Sequence, residues 1–386
     1  MKNRFDIIVI GAGPAGLMAC SEIAKSDCSF AVIEKSNIYK KSVSCGEGVW
    51  KQPFDKLLTP KDSWIRLNIT KASFESPNDS TVLLGNGKDV LGYILDRAKM
   101  QEEILDNISQ KGTLFRGISV KKVVKSNKFQ RVILSNGEEL QCKTIIDSSG
   151  PSSIFSKEFG VYNKPTDLEP ALYAIVDNIK KYSSDTLTLK MCSYYGAGGY
   201  AWEFPHSKNS INIGAVIGVD FKGKFSLKDR IEEYIDKKYP NGKIVSWSAG
   251  SIPCYSRKNK ISTANFISCG DAASMVNPLT RSGISESMKL GKIAAEFAIK
   301  MSKTDKEKNK NKIAKEYEKS VWKNYGKKIE KVAKVKSSLY KISDSEFNGA
   351  AAELSKIPQK DITMLKILKI TIKNSPKLLW VMRHLL

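Results

Sequence analysis

The apolar run Phe5-Asp6-Ile7-Ile8-Val9-Ile10 leads directly into Gly11-Ala12-Gly13-Pro14-Ala15-Gly16, and this junction restricts the possible folds more than any other feature of the 386-residue chain. A run of that length broken by glycine predicts a buried parallel strand. A helix is expected over about 14–25, and 29–34 supplies a second strand that ends on Glu34. The spacing fits GxGxxG with a strand before it and a helix after it. Gly11 permits the tight turn, Gly13 lets backbone approach a diphosphate, and Gly16 allows close helix–strand contact. The helix N-terminus then faces the anion, and Glu34 stands where an acid accepts ribose hydroxyls. A glycine turn without a ligand would need none of this context.

Downstream, residues 95–110 carry apolar positions at helical spacing and stop at Lys111-Gly112. The extended runs 131–134 and 140–147 are joined by Ser135-Asn136-Gly137-Glu138, which predicts a hairpin. From about Phe159 to Ser262 short alternating segments (171–176, 186–193, 210–219) suggest a largely antiparallel insertion, and a buried-strand pattern returns at 264–269. The expected fold class is therefore α/β, with α+β character overall. It consists of a Rossmann-like nucleotide-binding domain, an inserted antiparallel-sheet substrate domain and a helical C-terminal region. The expected boundaries are 1–158 and 263–300 for the two parts of the first domain, 159–262 for the insertion and 301–386 for the helical region.

Composition narrows the function classes. Lys and Arg number 63 against 40 Asp and Glu, a net charge of +23, which points to partners of negative potential. No aromatic-basic RNA motif accompanies that charge, so nucleic acid is not an expected partner. Seven cysteines at scattered spacing, with no CxxC pair, are expected as reduced thiols rather than a disulfide framework. His206 and His384 are the only histidines, which leaves little support for a metal site or a Ser-His-Asp triad. The start has neither a signal-peptide core nor its flanks, and no run of about 18 apolar residues is present. The expected location is cytoplasmic, with peripheral membrane contact.

A second distant segment, Phe266-Ile267-Ser268-Cys269-Gly270-Asp271-Ala272-Ala273, precedes Asn277-Pro278-Leu279-Thr280 and Gly283-Ile284. A strand, a Gly-Asp turn and a proline loop opening a helix would set a carboxylate near ribityl hydroxyls and a helix N-terminus near the electron-rich edge of a flavin. With its glycine-rich entry, central arginine helix and late Gly-Asp turn in this order, the chain resembles the FAD-containing oxidoreductases of the p-hydroxybenzoate hydroxylase fold. Ser44-Cys45-Gly46-Glu47-Gly48-Val49 and Tyr200-Ala201-Trp202-Glu203-Phe204-Pro205 narrow the resemblance, over roughly residues 1–300, to the geranylgeranyl reductase family, whose members saturate isoprenoid double bonds. The resemblance implies FAD contacts at Ala15, Glu34, Cys45, Gly46, Gly48, Arg97, the backbone around Val120 and Lys121, Asp271, Gly283 and Ile284, beside Gly11, Gly13 and Gly16 of the motif. Two departures stand out. Ala197 replaces the proline that opens the family's aromatic pattern, and Arg281-Ser282 occupies the late loop where the family has Gly-Glu.

The aromatics Tyr200, Trp202 and Phe204 recur at period two and so share one strand face. That face is either a wall for an apolar substrate chain or simply the packed side of the sheet. Cys45, on a loop next to Gly46, could give a proton to one alkene carbon while a flavin delivers hydride to the other, with Glu47 as a second candidate acid. A buried, inert thiol is the plainer reading. Residues 301–386 hold 21 Lys plus Arg against 9 Asp plus Glu. Within them, Lys366, Lys369, Lys373 and Lys377 line one face of a helical pattern whose other side carries Leu365, Leu368, Ile372, Leu378, Leu379, Met382 and Leu386, with Pro376 breaking it. This suits a basic amphipathic helix on an anionic membrane, or a helix packed on its domain with a solvated lysine face.

The expected activity is FAD-dependent saturation of carbon–carbon double bonds in isoprenoid chains of lipids or prenyl diphosphates, an oxidoreductase acting on CH–CH groups. A flavin-dependent monooxygenase or halogenase of the same fold is the alternative. No second GxGxxG unit is present, so electrons would come from transient NADPH or from a small acidic carrier such as reduced ferredoxin, which a basic surface attracts.

Overall fold

The computed structural model describes residues 3–37, 45–161, 165–180, 182–255, 258–340 and 342–375. Ser44, His384 and the apolar positions beyond Ser375 lie outside the described residues. The chain divides into two compact units, the first comprising Met1–Val43, Arg97–Thr166 and Pro253–Glu330, the second Ser44–Asp96, Asp167–Ile252 and Lys331–Leu386.

In the first unit the run at the start of the sequence becomes the strand Arg4–Ile10, in which Ile7, Ile8 and Val9 are completely buried. It pairs in parallel with Phe30–Glu34 on one side and Glu139–Asp147 on the other, and Thr113–Arg116 and Phe266–Ser268 extend the parallel sheet outward. Covered on both faces, such strands need apolar residues at consecutive positions rather than in alternation. The expected hairpin is present, with Gln130–Leu134 antiparallel to Glu139–Asp147, and Val120–Val124 adds a further antiparallel strand beside it. Helix Pro14–Ile23 follows the glycine turn, and the 19-residue helix Ile284–Ser302 follows the late loop.

The second unit is built on a seven-stranded sheet in the order Lys243–Pro253, Leu168–Asp177, Ser210–Val216, Tyr200–Pro205, Thr186–Lys190, Lys71–Glu75, Thr81–Leu84. A separate three-stranded sheet places Gly92–Leu95 between Gly48–Trp50 and Ile65–Ile69. These partnerships move the expected domain boundaries. Residues 44–96, assigned from the sequence to the first domain, belong to the second unit, because Lys71–Glu75 pairs in parallel with Thr186–Lys190 more than a hundred residues away. The helical C-terminal region also divides, at Glu330, and Ser262–Thr263 joins the edge of the first unit's sheet.

Helix Met364–Asn374 packs Ile367 and Ile370 against a cluster containing Val82, Ala351 and Leu354 within the second unit, while Lys366, Lys369 and Lys373 are exposed. Of the apolar positions expected on the packed side, Ile372 is buried and Leu368 half-buried, whereas Leu365 is 61% exposed, so the helix packs on a face turned from the expected one. No helix among the described residues is long and apolar enough to cross a membrane.

Candidate functional site

The first unit collects a set of groups around its glycine turn. Gly11 has φ +95°, and a Cβ there would lie 2.5 Å from the Ser148 carbonyl oxygen. At Gly16 a Cβ would fall 1.9 Å from the Gly11 oxygen, so neither position tolerates a side chain. A Cβ at Gly13 would meet nothing within 4 Å. The motif therefore closes on itself at its first and third glycines and stays open at the second, which leaves room for a group such as a diphosphate. Gly13 also precedes helix Pro14–Ile23 and supplies it no side-chain cap, so the first-turn N–H groups face that opening.

Glu34 is buried at the end of its strand. Its Oε2 accepts from the Ala12 N–H at 2.8 Å and its Oε1 from the Ser36 N–H at 2.7 Å, which fixes the carboxylate beside the turn with acceptor capacity to spare. The Ile118 N–H bonds to the Glu34 carbonyl at 3.3 Å, which brings the start of strand Val120–Val124 to the same edge; Val120 is buried and Lys121 exposed. Arg97 begins its helix and is buried, with Nη2 donating to Gln101 Oε1 at 3.3 Å, while Gln101 Nε2 donates to the Ala12 carbonyl at 3.0 Å. The pair at i and i+4 thus ties the arginine helix to the glycine turn.

Asp271 lies in the turn Gly270–Ala273, and Gly283, from which a Cβ would stand 4.0 Å from Asp271 Oδ1, precedes helix Ile284–Ser302. Burial pushes the Asp271 carboxyl up to about 6, with the Arg97 guanidinium pulling the other way. Arg281 has φ +54° and donates from Nη1 to the Leu279 carbonyl at 2.7 Å, so its guanidinium closes its own loop. Sequence patterns do not mark Gln101, although it is one turn from Arg97, or Ser148, whose hydroxyl donates to the carbonyls of Ile10 and Gly11 at 2.9 Å each. Two helix N-termini opened by glycine, the buried acid Glu34, and Arg97 close enough to Asp271 to act on its charge form a donor and acceptor set that fits a dinucleotide such as FAD.

Cys45, Gly46 and Gly48, expected beside those residues, belong to the second unit, together with Glu47 and the aromatic strand. There the period-two reading of Tyr200, Trp202 and Phe204 holds. The Tyr200 and Trp202 rings lie 6.4 Å apart and the Trp202 and Phe204 rings 6.2 Å, in one cluster with Tyr173 and Val216. The residue between them, Glu203, takes the opposite side and accepts from Tyr239 Oη at 2.9 Å and Lys238 Nζ at 2.7 Å.

The cysteine loop lies on this aromatic face. A Cβ on Gly46 would come within 2.9 Å of Phe204, and Cys45 is held by its backbone, its N–H donating to Tyr173 Oη and its carbonyl accepting from Asn212 Nδ2, both at 3.4 Å. Trp202 Nε1 donates to Asn212 Oδ1 at 2.8 Å, so the same asparagine bridges the loop and the indole. The thiol accepts from the Glu47 N–H at 3.2 Å. The Glu47 carboxylate bonds to Arg66 Nη1 at 2.5 Å, and the same nitrogen contacts His206 Nδ1 at 3.0 Å. Burial and the Arg66 charge both push His206 below its ordinary range, so it is neutral near pH 7 and accepts from the guanidinium. Tyr173, Asn212, Arg66 and His206 carry no motif that would have marked them in advance.

Known proteins match along the whole chain. Residues 6–164 fit the family model for lycopene cyclase protein and residues 167–252 that for the geranylgeranyl reductase catalytic domain. A digeranylgeranylglycerophospholipid reductase of Methanocella arvoryzae is 28% identical, covering 98% of each chain, and digeranylgeranylglycerophospholipid reductase 1 of Methanococcoides burtonii is 26% identical over 100% of this chain and 96% of its own. Over its whole length the chain is thus similar to named digeranylgeranylglycerophospholipid reductases, with the geranylgeranyl reductase catalytic model matching its middle part. Solved structures share the fold of this chain. A geranylgeranyl bacteriochlorophyll reductase-like protein from Thermoplasma acidophilum has a TM-score of 0.90 at 22% identity with both chains fully covered. A flavin-dependent brominase reaches 0.67 at 17% identity over 92% of this chain and all of its own, a likeness of fold alone.

Proposed function

We propose that the protein is an FAD-dependent reductase that saturates carbon–carbon double bonds of geranylgeranyl-type chains in lipids or prenyl diphosphates, with a digeranylgeranylglycerophospholipid as the first substrate to test. The observation that carries this reading is Cys45. A group able to release a proton is seated against an aromatic strand in a chain that matches named reductases of such lipids from end to end. The monooxygenase or halogenase alternative has only likeness of fold behind it.

Adding two hydrogens to an alkene takes a hydride equivalent at one carbon and a proton at the other. FAD, when bound and reduced, supplies the hydride. The residues that would hold it are Gly11, Gly13, Ala15 and Gly16 at the diphosphate, Glu34 and the Val120–Lys121 backbone at the adenosine, and Arg97, Asp271, Gly283 and Ile284 toward the flavin. Tyr200, Trp202 and Phe204 line the isoprenoid chain and keep water away from it. Cys45 Sγ gives its proton to the second alkene carbon and is left as a thiolate facing the Glu47 N–H, to be reprotonated from solvent. Glu47 is the weaker candidate acid, because its side chain is already engaged by Arg66.

Electrons come from an acidic one-electron carrier such as reduced ferredoxin, or from NADPH; the net charge of +23 supports the former. The exposed lysines of helix Met364–Asn374 support peripheral contact with an anionic membrane from the cytoplasmic side. Anaerobic incubation of the dithionite-reduced, FAD-loaded protein with a digeranylgeranylglycerophospholipid tests the activity. Each reduced bond adds two hydrogens to the lipid mass, whereas unchanged masses with full FAD occupancy would overturn the proposal.

A further inference from the structure

Glu47 stands between two glycines yet is itself the residue with φ +60°, a backbone conformation that an L-residue occupies only under strain. Within the same turn the Glu47 N–H donates to Cys45 Sγ at 3.2 Å, and φ at residue 47 sets how that turn joins the strand that follows. The side chain is 9% exposed and bonded to Arg66. Arg66 lies where the antiparallel register between Ile65–Ile69 and Gly92–Leu95 shifts, between Ile65 and Leu67. Such a bulge re-aims one side chain out of the strand's alternation. On the other side, the Leu95 N–H holds the Glu47 carbonyl at 3.0 Å. Asp96 faces the same guanidinium at 3.5 Å, and neutral His206 takes a hydrogen bond from it.

We propose that Arg66 is a positioning residue for Cys45, anchoring Glu47 in the left-handed conformation with which the 45–47 turn closes and so keeping the turn that sets the Glu47 amide against the sulfur. The inference rests on Cys45 acting as proton donor. As the thiol gives up its proton the sulfur becomes negative, and an N–H already directed at it stabilises that charge more than it stabilises the neutral thiol. Arg66 touches neither alkene nor cofactor; it acts through the backbone of its partner.

The test reads the sulfur directly. Intact protein is treated with iodoacetamide at fixed pH, and the alkylation rate of Cys45 is followed by peptide mass spectrometry, with Cys28 of the first unit as internal control. Arg66→Met is expected to slow Cys45 alkylation about tenfold, the lower end of what one hydrogen bond to a charged atom is worth. A merely structural arginine predicts the reverse, because a loosened loop exposes the thiol and speeds its reaction. The double variant Glu47→Gly with Arg66→Met is expected to recover the parent rate, since glycine takes φ +60° unaided and leaves no buried carboxylate. Glu47→Ala with Arg66→Met should stay slow, and the comparison of these two double variants decides the matter even where the single variant does not fold. Unchanged or faster alkylation in Arg66→Met, or equal rates in the two double variants, would overturn the proposal. Cys45→Ser tested for turnover decides the underlying reading separately: full activity in it would remove Cys45 as proton donor while leaving the alkylation result intact.

Discussion

The two units build their sites by different means. In the first, the decisive groups are close neighbours along the chain. Gly11 to Gly16 form one turn, Arg97 and Gln101 one helical face, and Asp271 to Ile284 one loop and helix start. In the second, the cysteine loop at 45–48 depends on Arg66, Asp96, Tyr173, Trp202, Phe204, His206 and Asn212, which arrive from several parts of the chain, and only Trp202 and Phe204 belong to a pattern visible in the sequence. Binding an anion needs backbone amides at a helix start, which a short sequence encodes alone. Aiming a thiol across an apolar face needs side chains arriving from several directions.

The severest way to break this contrast is Gly16→Val. Its Cβ would overlap the Gly11 oxygen, so the protein is expected to lose FAD entirely, seen as a colourless preparation after reconstitution, or to fail to fold. A yellow, fully loaded variant would contradict the assignment of the cofactor to the first unit. Cys45→Ala should do the opposite, leaving FAD content intact while turnover falls about 10²- to 10⁴-fold, the range for a removed general acid. Parallel loss of flavin would mean that the second unit's loop serves binding rather than proton transfer.

Asp271 gives a smaller effect with a definite sign. Its carboxyl in the folded apoprotein titrates near 6 rather than at the ordinary 3.8, so the folded chain holds the proton more tightly. The resulting stability is fully present below the unfolded value and is lost as pH rises through about 6. Asp271→Asn is therefore expected to be more stable than the parent apoprotein at pH 8, by up to about 3 kcal/mol, with the difference vanishing below about pH 4. Denaturant titrations at both pH values check it. The smallest change is expected from Lys369→Gln. It should weaken binding to anionic vesicles by about 1 kcal/mol, roughly fivefold, read by flotation, and leave binding to neutral vesicles unchanged.

Most of the first unit was legible in advance. The strand, turn and helix at 4–23, the arginine helix, the hairpin at 130–147 and the late Gly-Asp turn follow from local apolar runs, glycines and caps. The period-two aromatic stripe was equally readable, because alternation is a local property of a strand. The placement of 44–96 was not. Lys71–Glu75 carries nothing that names Thr186–Lys190 as its partner, since main-chain hydrogen bonds are the same for any register and only packing selects one.

The same division applies to the chemistry. The sequence by itself determined that a glycine-rich strand–turn–helix exists, that an acid closes its second strand, and that a cysteine lies in a glycine-rich loop, because each is written in residues a few positions apart. Tertiary structure alone decided that the Glu47 amide meets the Cys45 sulfur, that Arg66 leaves its strand at a bulge to hold Glu47, and that Asn212 joins the cysteine loop to Trp202. Those contacts depend on strand register and backbone dihedrals fixed by the packing of whole sheets, and no local pattern of residues carries that information.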